Sequence, residues 1–398
     1  MPAPAWYPTP EQELLLRAAL LDRGPAERAW VRWRTRHGEN RGLDLASFRL
    51  LPLVYRNLAA HGSEDPWISR LKGVYRRSWV LNQSLVHAAA DVVARLERAG
   101  IPSLLFKGAG LSVAHYRDLG VRPMTDVDVA VPLDRAHDAL GLLSSEGMRL
   151  EQPRAEVDLR ARHGETLLTR DDYRVDLHWA LLWQPGPDDE FWDAAVPFEL
   201  RGVATRTLCA TDHVLHVCAH GAFWNPIHPV RWVIDVCTVL RSAPGGVDWQ
   251  RLVRIAGERE LTLPLHDALV YANDRFDAQV PATVLEQLRA HPVRRLRRAA
   301  HRVAGKPPSL SRSTGLALVF LDTYRASARH HGERTGPLRF VDFVQHSLQE
   351  ETRGALVQRA LRSLLGARRP GAEPEADVVL PPPPAPASAT RTPDTLAL

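Results

Sequence analysis

Cysteine and long hydrophobic runs are both scarce in this sequence. Only three of the 398 residues are cysteines, and Cys209, Cys218 and Cys237 form no CxxC pair. An odd number without paired spacing indicates reduced thiols rather than disulfides. No apolar run reaches the roughly 20 residues of a membrane-spanning helix. The start, MPAPAWYPTPEQ, also lacks the basic and apolar regions of a secretory signal. We therefore expect a cytoplasmic protein with no membrane partner.

Neither sign of charge dominates the chain. Lys and Arg together number 51 and Asp and Glu 46, which gives a formal net charge of +5. This balance is compatible with a nucleic acid or a nucleotide as a partner, but it does not require one. The length suffices for two or three domains with a full hydrophobic core.

Helical patterning occupies both ends of the chain and is interrupted in the middle. The stretch Thr9-Pro10-Glu11-Gln12 has the features of a capped helix start, and Gly100 is placed to end a long helix that begins near Asp65. Between residues 101 and 208, short apolar runs alternate with turn residues, which is typical of strands. Helical periodicity returns from Thr211 onward.

These changes predict an α+β protein in which a small mixed β-sheet core is flanked by N- and C-terminal helical regions. The predicted boundaries are residues 1–95 for the N-terminal helical region, 96–210 for the core and 211–365 for the C-terminal helical domain. Residues 366–398 are rich in proline and alanine. We expect this tail to be disordered, because it cannot bury enough apolar surface to fold.

Several segments of the predicted core have strand-like patterns. Apolar runs at residues 101–106 and 127–131 predict two buried strands. Residues 165–169 and 173–179 flank a polar turn and predict a hairpin. Residues 198–208 predict one or two further strands.

The second predicted strand begins with two carboxylates one residue apart. Residues i and i+2 of a strand point to the same face, so Asp126 and Asp128 project together while Val127 and Val129 turn to the buried side. Two neighbouring carboxylates repel each other unless a cation lies between them. Mg²⁺ suits such a place, because it prefers oxygen ligands and usually binds one or two carboxylates plus substrate phosphates.

A third carboxylate lies in the second strand of the predicted hairpin. There Asp176 and His178 share one face of the strand. If this strand neighbours the first acidic strand, Asp176 completes a three-acid site for two metal ions. Such a pair of ions can clamp the attacking and leaving oxygens of a phosphoryl or nucleotidyl transfer. An isolated Asp-x-Asp is common on protein surfaces, whereas three acids together with Lys107-Gly108 after the preceding strand favour a functional site.

The stretch Gly108-Ala109-Gly110-Leu111-Ser112-Val113 begins like the GxGxxG of dinucleotide-binding domains. Val113 occupies the place of the third glycine, which would permit close packing of helix on strand. A single acid for the ribose also leaves the second carboxylate of the Asp126 and Asp128 pair unexplained. The pattern therefore disfavours a dinucleotide site.

Taken together, these segments resemble the uncharacterised bacterial nucleotidyltransferase family of the DNA polymerase β-like superfamily. The resemblance is carried by residues 101–111, Tyr116, residues 122–128 and residues 175–179, with residues 51–58 upstream and 231–235 downstream. Only the combination is specific for the family. The resemblance implies a small twisted sheet with helices and an NTP substrate. It also implies attack on the α-phosphorus of the NTP with release of pyrophosphate.

The resemblance further implies a metal site. Asp126 and Asp128 would hold Mg²⁺, or Mn²⁺ in its place, bound to the triphosphate. Asp176 would complete the second metal position and help to deprotonate the acceptor hydroxyl. His178 would line the pocket or support these acids from outside the reacting atoms.

One position departs from the superfamily pattern. Most members have Gly-Ser at the start of the helix after the first strand, whereas this chain has Lys107-Gly108-Ala109 and no serine hydroxyl. Lys107 as a point charge, with the backbone at Gly108 and Ala109, would then hold the β- and γ-phosphates. Arg122 either reaches a phosphate or forms an ion pair that fixes the loop before Asp126.

Two further groups of residues have alternative interpretations. His216 and His220 lie four apart, as in a zinc motif, but Val217 stands where a zinc protease has its glutamate, so packing or a share in the pocket is favoured. Arg231 and Asp235 either pair with each other on one helix or line the pocket.

A basic stretch at residues 289–306 admits either an RNA backbone contact or a solvated helix face. It lacks interleaved aromatic residues, so the second interpretation is favoured.

Three functions are compatible with this pattern. The leading hypothesis is metal-dependent transfer of NMP from an NTP to an unknown acceptor, which the sequence leaves open among a small molecule, a peptide, a protein and tRNA. A glycosyltransferase with an Asp-x-Asp motif would need a larger nucleotide-binding domain before that motif than this chain supplies. A non-catalytic nucleotide-binding or regulatory module is the remaining alternative, and the missing serine favours it.

Overall fold

The computed structural model describes residues 6–38, 42–152, 157, 159, 162–221, 230–243, 245–305, 312–330, 332–347, 352–354 and 358. The tail predicted for residues 366–398 lies outside the described residues, as does Lys306 at the end of the basic stretch. Within the described parts, seven strands form one mixed sheet with helices before and after it. The predicted α+β architecture is confirmed.

The strands are β1 (Leu104–Leu105), β2 (Val127–Ala130), β3 (Arg149–Leu150), β4 (Gly164–Leu168), β5 (Arg174–His178), β6 (Val196–Leu200) and β7 (Val203–Thr207). The helices before the sheet and within it are α1 (Pro10–Leu20), α2 (Arg23–His37), α3 (Leu45–Phe48), α4 (Leu51–Ala60), α5 (Ile68–Arg98), α6 (Lys107–Leu111), α7 (Ala136–Ser145) and α8 (Asp189–Asp193). The helices after the sheet are α9 (Ala210–Gly221), α10 (Arg231–Ser242), α11 (Trp249–Glu258), α12 (Thr262–Phe276), α13 (Ala282–Ala290), α14 (Arg295–Ala304), α15 (Arg312–His330) and α16 (Pro337–Ser347).

Two predicted helix ends are present with the expected chemistry. The hydroxyl of Thr9 accepts from the backbone N–H of Gln12 at 3.2 Å, and the Gln12 side chain accepts from the N–H of Thr9 at 3.0 Å. Pro10 opens α1. At the other end of the N-terminal region, α5 ends just before Gly100, whose φ of +64° is the left-handed conformation that favours glycine.

The sheet has the strand order β3-β4-β5-β2-β1-β7-β6. Strands β2 and β5 are parallel neighbours, β1 and β7 are also parallel, and the other adjacent pairs are antiparallel. The predicted hairpin is confirmed as β4 and β5, and residues 198–208 contribute to the hairpin of β6 and β7. The short edge strand β3 was not predicted, because two residues carry no periodic signal.

One face of the central strands is completely buried. Val127, Val129, Val175 and Leu177 are 0% exposed and belong to a hydrophobic cluster that includes residues of α5 and α7. Alternation along the strands therefore turns the polar residues of β2 and β5 to the opposite face. That face carries the candidate site.

The helices before and after the sheet share a second hydrophobic cluster. It includes Leu15 of α1, Val54 of α4 and Ile234 of α10, all 0% exposed. The Arg241 side chain also donates to the carbonyl of Leu20 at 2.9 Å. Helices before the sheet thus pack on helices after it. No helix among the described residues is long and apolar enough to cross a membrane.

Candidate active site

The register of β2 and β5 brings the predicted acids together. Asp128 and Asp176 are direct partners across the two parallel strands. Asp126 lies one residue before β2 and lines the same cavity as these two carboxylates. The expectation that the two acidic strands are neighbours is confirmed.

Asp128 is buried and makes the closest polar contacts of the site. The Lys107 ammonium donates to Asp128 Oδ1 at 2.6 Å, and His178 Nε2 lies 3.0 Å from the same oxygen. Lys107 Nζ and His178 Nε2 are 3.3 Å apart. Lys107 has a φ of +47°, a sparsely populated conformation for a residue with a side chain. From this position the Lys107 side chain reaches Asp128 of β2.

The surroundings shift the three carboxyl groups differently. Burial works against ionisation of Asp128, but the Lys107 charge and the hydrogen bond from His178 prevail and hold its pKa well below the usual range. Burial and the Asp128 charge raise the pKa of Asp176 to about 6. Burial and Asp128 also raise the pKa of Asp126. Asp128 is therefore the more readily ionised carboxyl group, and Asp176 ionises closer to neutral pH than an ordinary carboxyl group does.

The group of residues that could hold a metal ion differs from the three predicted acids, because Asp126 lines the cavity but does not belong to the group. Ligand atoms of Asp128, Asp176 and His178 lie within 4.8 Å of one another, and no other such group occurs in the described part of the chain. Carboxylate oxygens suit Mg²⁺ and Mn²⁺, and the imidazole nitrogen is a further donor that Mn²⁺ accepts more readily than Mg²⁺. His178, expected in a supporting role, is thus a candidate ligand.

Two cavities adjoin at Lys107 and Asp176. The arginine cavity, of about 320 Å³, is lined by residues that include Lys107, Asp126, Asp128, Asp176, Arg49 and Arg231. The tryptophan cavity, of about 370 Å³, is lined by residues that include Lys107, Asp176, His178, His163 and Trp183. Lys107 and Asp176 line both cavities.

The tryptophan cavity was not predicted from the sequence. His163 stacks on Trp183 with ring centroids 4.7 Å apart and an angle of 26° between the planes. Thr166 of β4 donates to Asp176 Oδ1 at 2.7 Å. The hairpin register places Thr166 opposite Asp176, so this contact could have been inferred from the predicted turn.

Arg122 is engaged in a buried ion pair. Its Nε and Nη2 donate to the two carboxylate oxygens of Asp235 at 2.8 and 2.9 Å, and the Tyr116 hydroxyl donates to the same carboxylate at 2.6 Å. No ion pair joins Asp235 to Arg231 among the described residues, and both residues line the arginine cavity, which was the other alternative. Arg231 instead donates to the carbonyl of Pro123, in the loop before Asp126.

Asn82 is a further positioning residue that the sequence did not reveal. This side chain of α5 is 0% exposed, donates to the Arg122 carbonyl at 2.8 Å and accepts from the Met124 N–H at 3.0 Å. It therefore holds the loop that leads to Asp126. A polar residue within an amphipathic helix gives no sign of such a role in the sequence.

Part of the Lys107-Gly108-Ala109 segment lines the arginine cavity, and part of it is packed in the protein interior. Gly108 lines the arginine cavity, and a Cβ there would lie 2.9 Å from Met124 Sδ. Ala109 is 0% exposed, lies in the hydrophobic cluster below the sheet and is not among the residues that line the arginine cavity, so the structure gives its predicted contact with phosphate no support. At Gly110 a Cβ would lie 2.9 Å from the carbonyl oxygen of Leu105. Close approach of α6 to the sheet thus explains Gly110, and close approach to Met124 in the loop before β2 explains Gly108.

The remaining predicted residues are placed as follows. His216 and His220 line the arginine cavity, with ring centroids 6.0 Å apart. They belong to no group of side chains among the described residues that could hold a metal ion, so the structure gives the zinc interpretation no support.

In the basic stretch, Arg297 is buried and its Nε lies 2.6 Å from Asp322 Oδ2, while Arg298 and Arg302 are exposed on α14.

Comparison with known proteins decides the family. A family model described as uncharacterised nucleotidyltransferase matches residues 45–277, more than half of the chain. The chain belongs to this family. The nucleotidyltransferase match runs from α3 to the end of α12. It therefore includes the whole sheet and the two cavity-lining arginines, Arg49 and Arg231. It identifies the protein as a transferase enzyme.

Other comparisons give less. No curated protein matches the chain. Among solved structures, the antibiotic-resistance factor ANT(2'')-Ia is similar over 40% of this nucleotidyltransferase and 85% of its own chain. The identity is 15% and the TM-score is 0.30.

Proposed function

We propose that this nucleotidyltransferase moves an NMP group from an NTP to an acceptor hydroxyl and releases pyrophosphate. The observation that carries the proposal is the register of Asp128 with Asp176, with Asp126 beside them at the cavity that holds Lys107 and the arginines. Carboxylates beside several cations suit a polyphosphate that carries a divalent metal ion.

The donor set fits a divalent ion. Asp128 and Asp176 supply carboxylate oxygens and His178 supplies a nitrogen, all within 4.8 Å of one another, and Asp126 lines the same cavity as the two acids. Bound there, Mg²⁺ or Mn²⁺ would neutralise phosphate charge and orient the triphosphate. The Lys107 ammonium, which lines both cavities, would donate to phosphate oxygens and stabilise charge that develops during transfer.

The two cavities suggest where the substrates enter. The triphosphate would occupy the arginine cavity, and the acceptor would approach from the tryptophan cavity toward the same acids. Asp176 lies between them, and its raised pKa of about 6 suits it to accept the proton of the acceptor hydroxyl. Thr166 orients that carboxylate through its hydrogen bond.

Labelling with α-³²P NTPs tests the proposal. Each nucleotide is supplied with Mg²⁺ and a host extract, and label is counted separately in the RNA, protein and small-molecule fractions. Wild-type protein should place label in one fraction, and Asp128→Asn should reduce transfer by at least 10²-fold because it removes a charged metal ligand. Asp171→Asn, in the exposed turn between β4 and β5, is the matched control and should transfer normally.

A non-catalytic nucleotide-binding module is the second candidate. The Lys107 ammonium already neutralises Asp128, and the Lys107-Gly108-Ala109 segment has no serine hydroxyl. Measurable binding of Mg²⁺-NTP, with no label transferred to any fraction from several extracts, would favour this module over the transferase.

A further inference from the structure

We propose that Arg49 and Arg231 together form a phosphate subsite of the arginine cavity, which takes the β- and γ-phosphates of a metal-bound triphosphate. The inference deepens the proposed function and rests on it for the identity of the ligand. It brings a residue from the helices before the sheet into the NTP site.

The two arginines reach the cavity from different parts of the fold. Arg49 directly follows α3 and caps its C-terminus, and its N–H donates to the Leu45 carbonyl at 3.1 Å. Helix α4 begins two residues later. Arg231 is the first residue of α10. Both side chains line the cavity that also holds Asp126 and Asp128. The bond from Arg231 to the Pro123 carbonyl links this wall to the loop before Asp126.

Charge in the cavity is unevenly compensated. The charge of Lys107 is paired with Asp128, and that of Arg122 with Asp235. The contact of Arg231 in the described residues is to a carbonyl oxygen, a weaker compensation than a carboxylate. Burial, Arg122 and Arg49 together lower the pKa of Arg231 to about 9. Like charges held together in a cleft favour an anion between them.

Guanidinium groups and phosphate oxygens have matching geometry. Arg offers planar, bidentate donors to phosphate, and two of them can bind successive phosphates of one chain. The nearby carboxylates Asp126 and Asp128 would repel a bare polyphosphate. The preferred ligand is therefore a polyphosphate that carries a divalent cation on its side facing the acids.

Inorganic tripolyphosphate with Mg²⁺ is a suitable probe, because it needs neither a base nor an acceptor. Binding to the full-length protein is measured by titration calorimetry for wild type, Arg49→Gln and Arg231→Gln. We expect each substitution to weaken binding by about tenfold or more, as for loss of a charge-assisted hydrogen bond. Arg76→Gln removes the same charge from the exposed face of α5 and should bind like wild type.

Two additions keep the test decisive. Urea unfolding checks that each variant is folded, and Arg49→Lys retains the charge without the bidentate geometry, so it should bind with intermediate affinity. Wild-type affinity in Arg49→Gln would overturn the subsite, as would a wild-type protein that does not bind Mg²⁺-tripolyphosphate.

The test separates the subsite from the proposed transfer. If Arg49→Gln loses tripolyphosphate binding while the wild-type protein itself transfers no label, the subsite is supported and the transfer is refuted. Normal label transfer with unchanged binding in Arg49→Gln refutes the subsite alone.

Discussion

Lys107 Nζ lies 2.6 Å from Asp128 Oδ1, and this contact joins the first residue of α6 to the acid within β2. The Asp128 side chain is 5% exposed and that of Lys107 is 22% exposed. Lys107 also lines both the arginine cavity and the tryptophan cavity. It therefore serves two purposes: it neutralises a buried carboxylate, and it presents a cation to both cavities.

Removal of the Lys107 charge should lower the stability of the whole protein as well as disturb the candidate site. We expect Lys107→Met to lower the free energy of unfolding at pH 7 by about 2–4 kcal/mol, because it leaves a buried carboxylate without its partner. The folded-state pKa of Asp128 is depressed, so this contribution is present above an unfolded pKa of about 4 and is lost as the pH falls further. Urea unfolding at pH 7 and pH 3 measures the difference.

The double variant Lys107→Met with Asp128→Asn provides the control for the ion pair. It should be more stable than the sum of the single changes predicts, because neither charge is then left alone. Strict additivity of the two substitutions would contradict a direct energetic coupling.

The Arg122–Asp235 ion pair should act chiefly on stability. Asp235→Asn or Arg122→Met alone should cost roughly 3–5 kcal/mol, because each leaves an uncompensated buried charge, whereas the double change to Met and Leu should cost less. Urea midpoints of the three variants check this. A single variant with normal stability but greatly weakened Mg²⁺-NTP binding would instead assign Arg122 to the phosphates.

Metal binding should weaken in acid because of Asp176. Its pKa is raised to about 6, so protons compete with a metal ion for this carboxylate below that pH. We expect Mn²⁺ affinity, measured by titration calorimetry, to fall by up to about tenfold per pH unit below pH 6 and to level off above it.

Thr166→Val should move that transition to higher pH. The hydrogen bond from Thr166 lowers the pKa of Asp176, so its loss favours the protonated form. Thr35→Val, on the exposed face of α2, is the control and should leave the profile in place. A transition that moves to lower pH in Thr166→Val would refute this role of the threonine.

Two glycines of the chain should respond oppositely to alanine. At Gly110 a Cβ would lie 2.9 Å from the Leu105 carbonyl oxygen and 3.0 Å from Thr207 Oγ1, so Gly110→Ala should destabilise by about 1–3 kcal/mol. At Gly141, within α7, a Cβ would meet no atom within 4 Å, so Gly141→Ala should stabilise by roughly 0.5–1 kcal/mol. Thermal unfolding of the two variants gives the signs directly.

Local patterns were enough to predict the elements that carry the acids. The alternation around Asp126 and Asp128, the polar turn before β5 and the cap at Thr9 depend on neighbours within a few residues, and each is present. Partners far apart in the chain were not predictable in this way. The contacts of Asp128 with Lys107 and of Asp235 with Arg122 span 21 and 113 residues.

The sequence by itself determined the α+β class, the acidic strands and the family resemblance, because period-two alternation and short motifs are local properties. Only the tertiary structure decided which cations face these acids. The tertiary fold brings Arg49, beside α3, and Arg231, of α10, into one cavity, and residues of the β4–β5 hairpin line the other together with Trp183. Such proximity arises from burial of long-range hydrophobic surface, which is non-directional and leaves no local pattern in the chain.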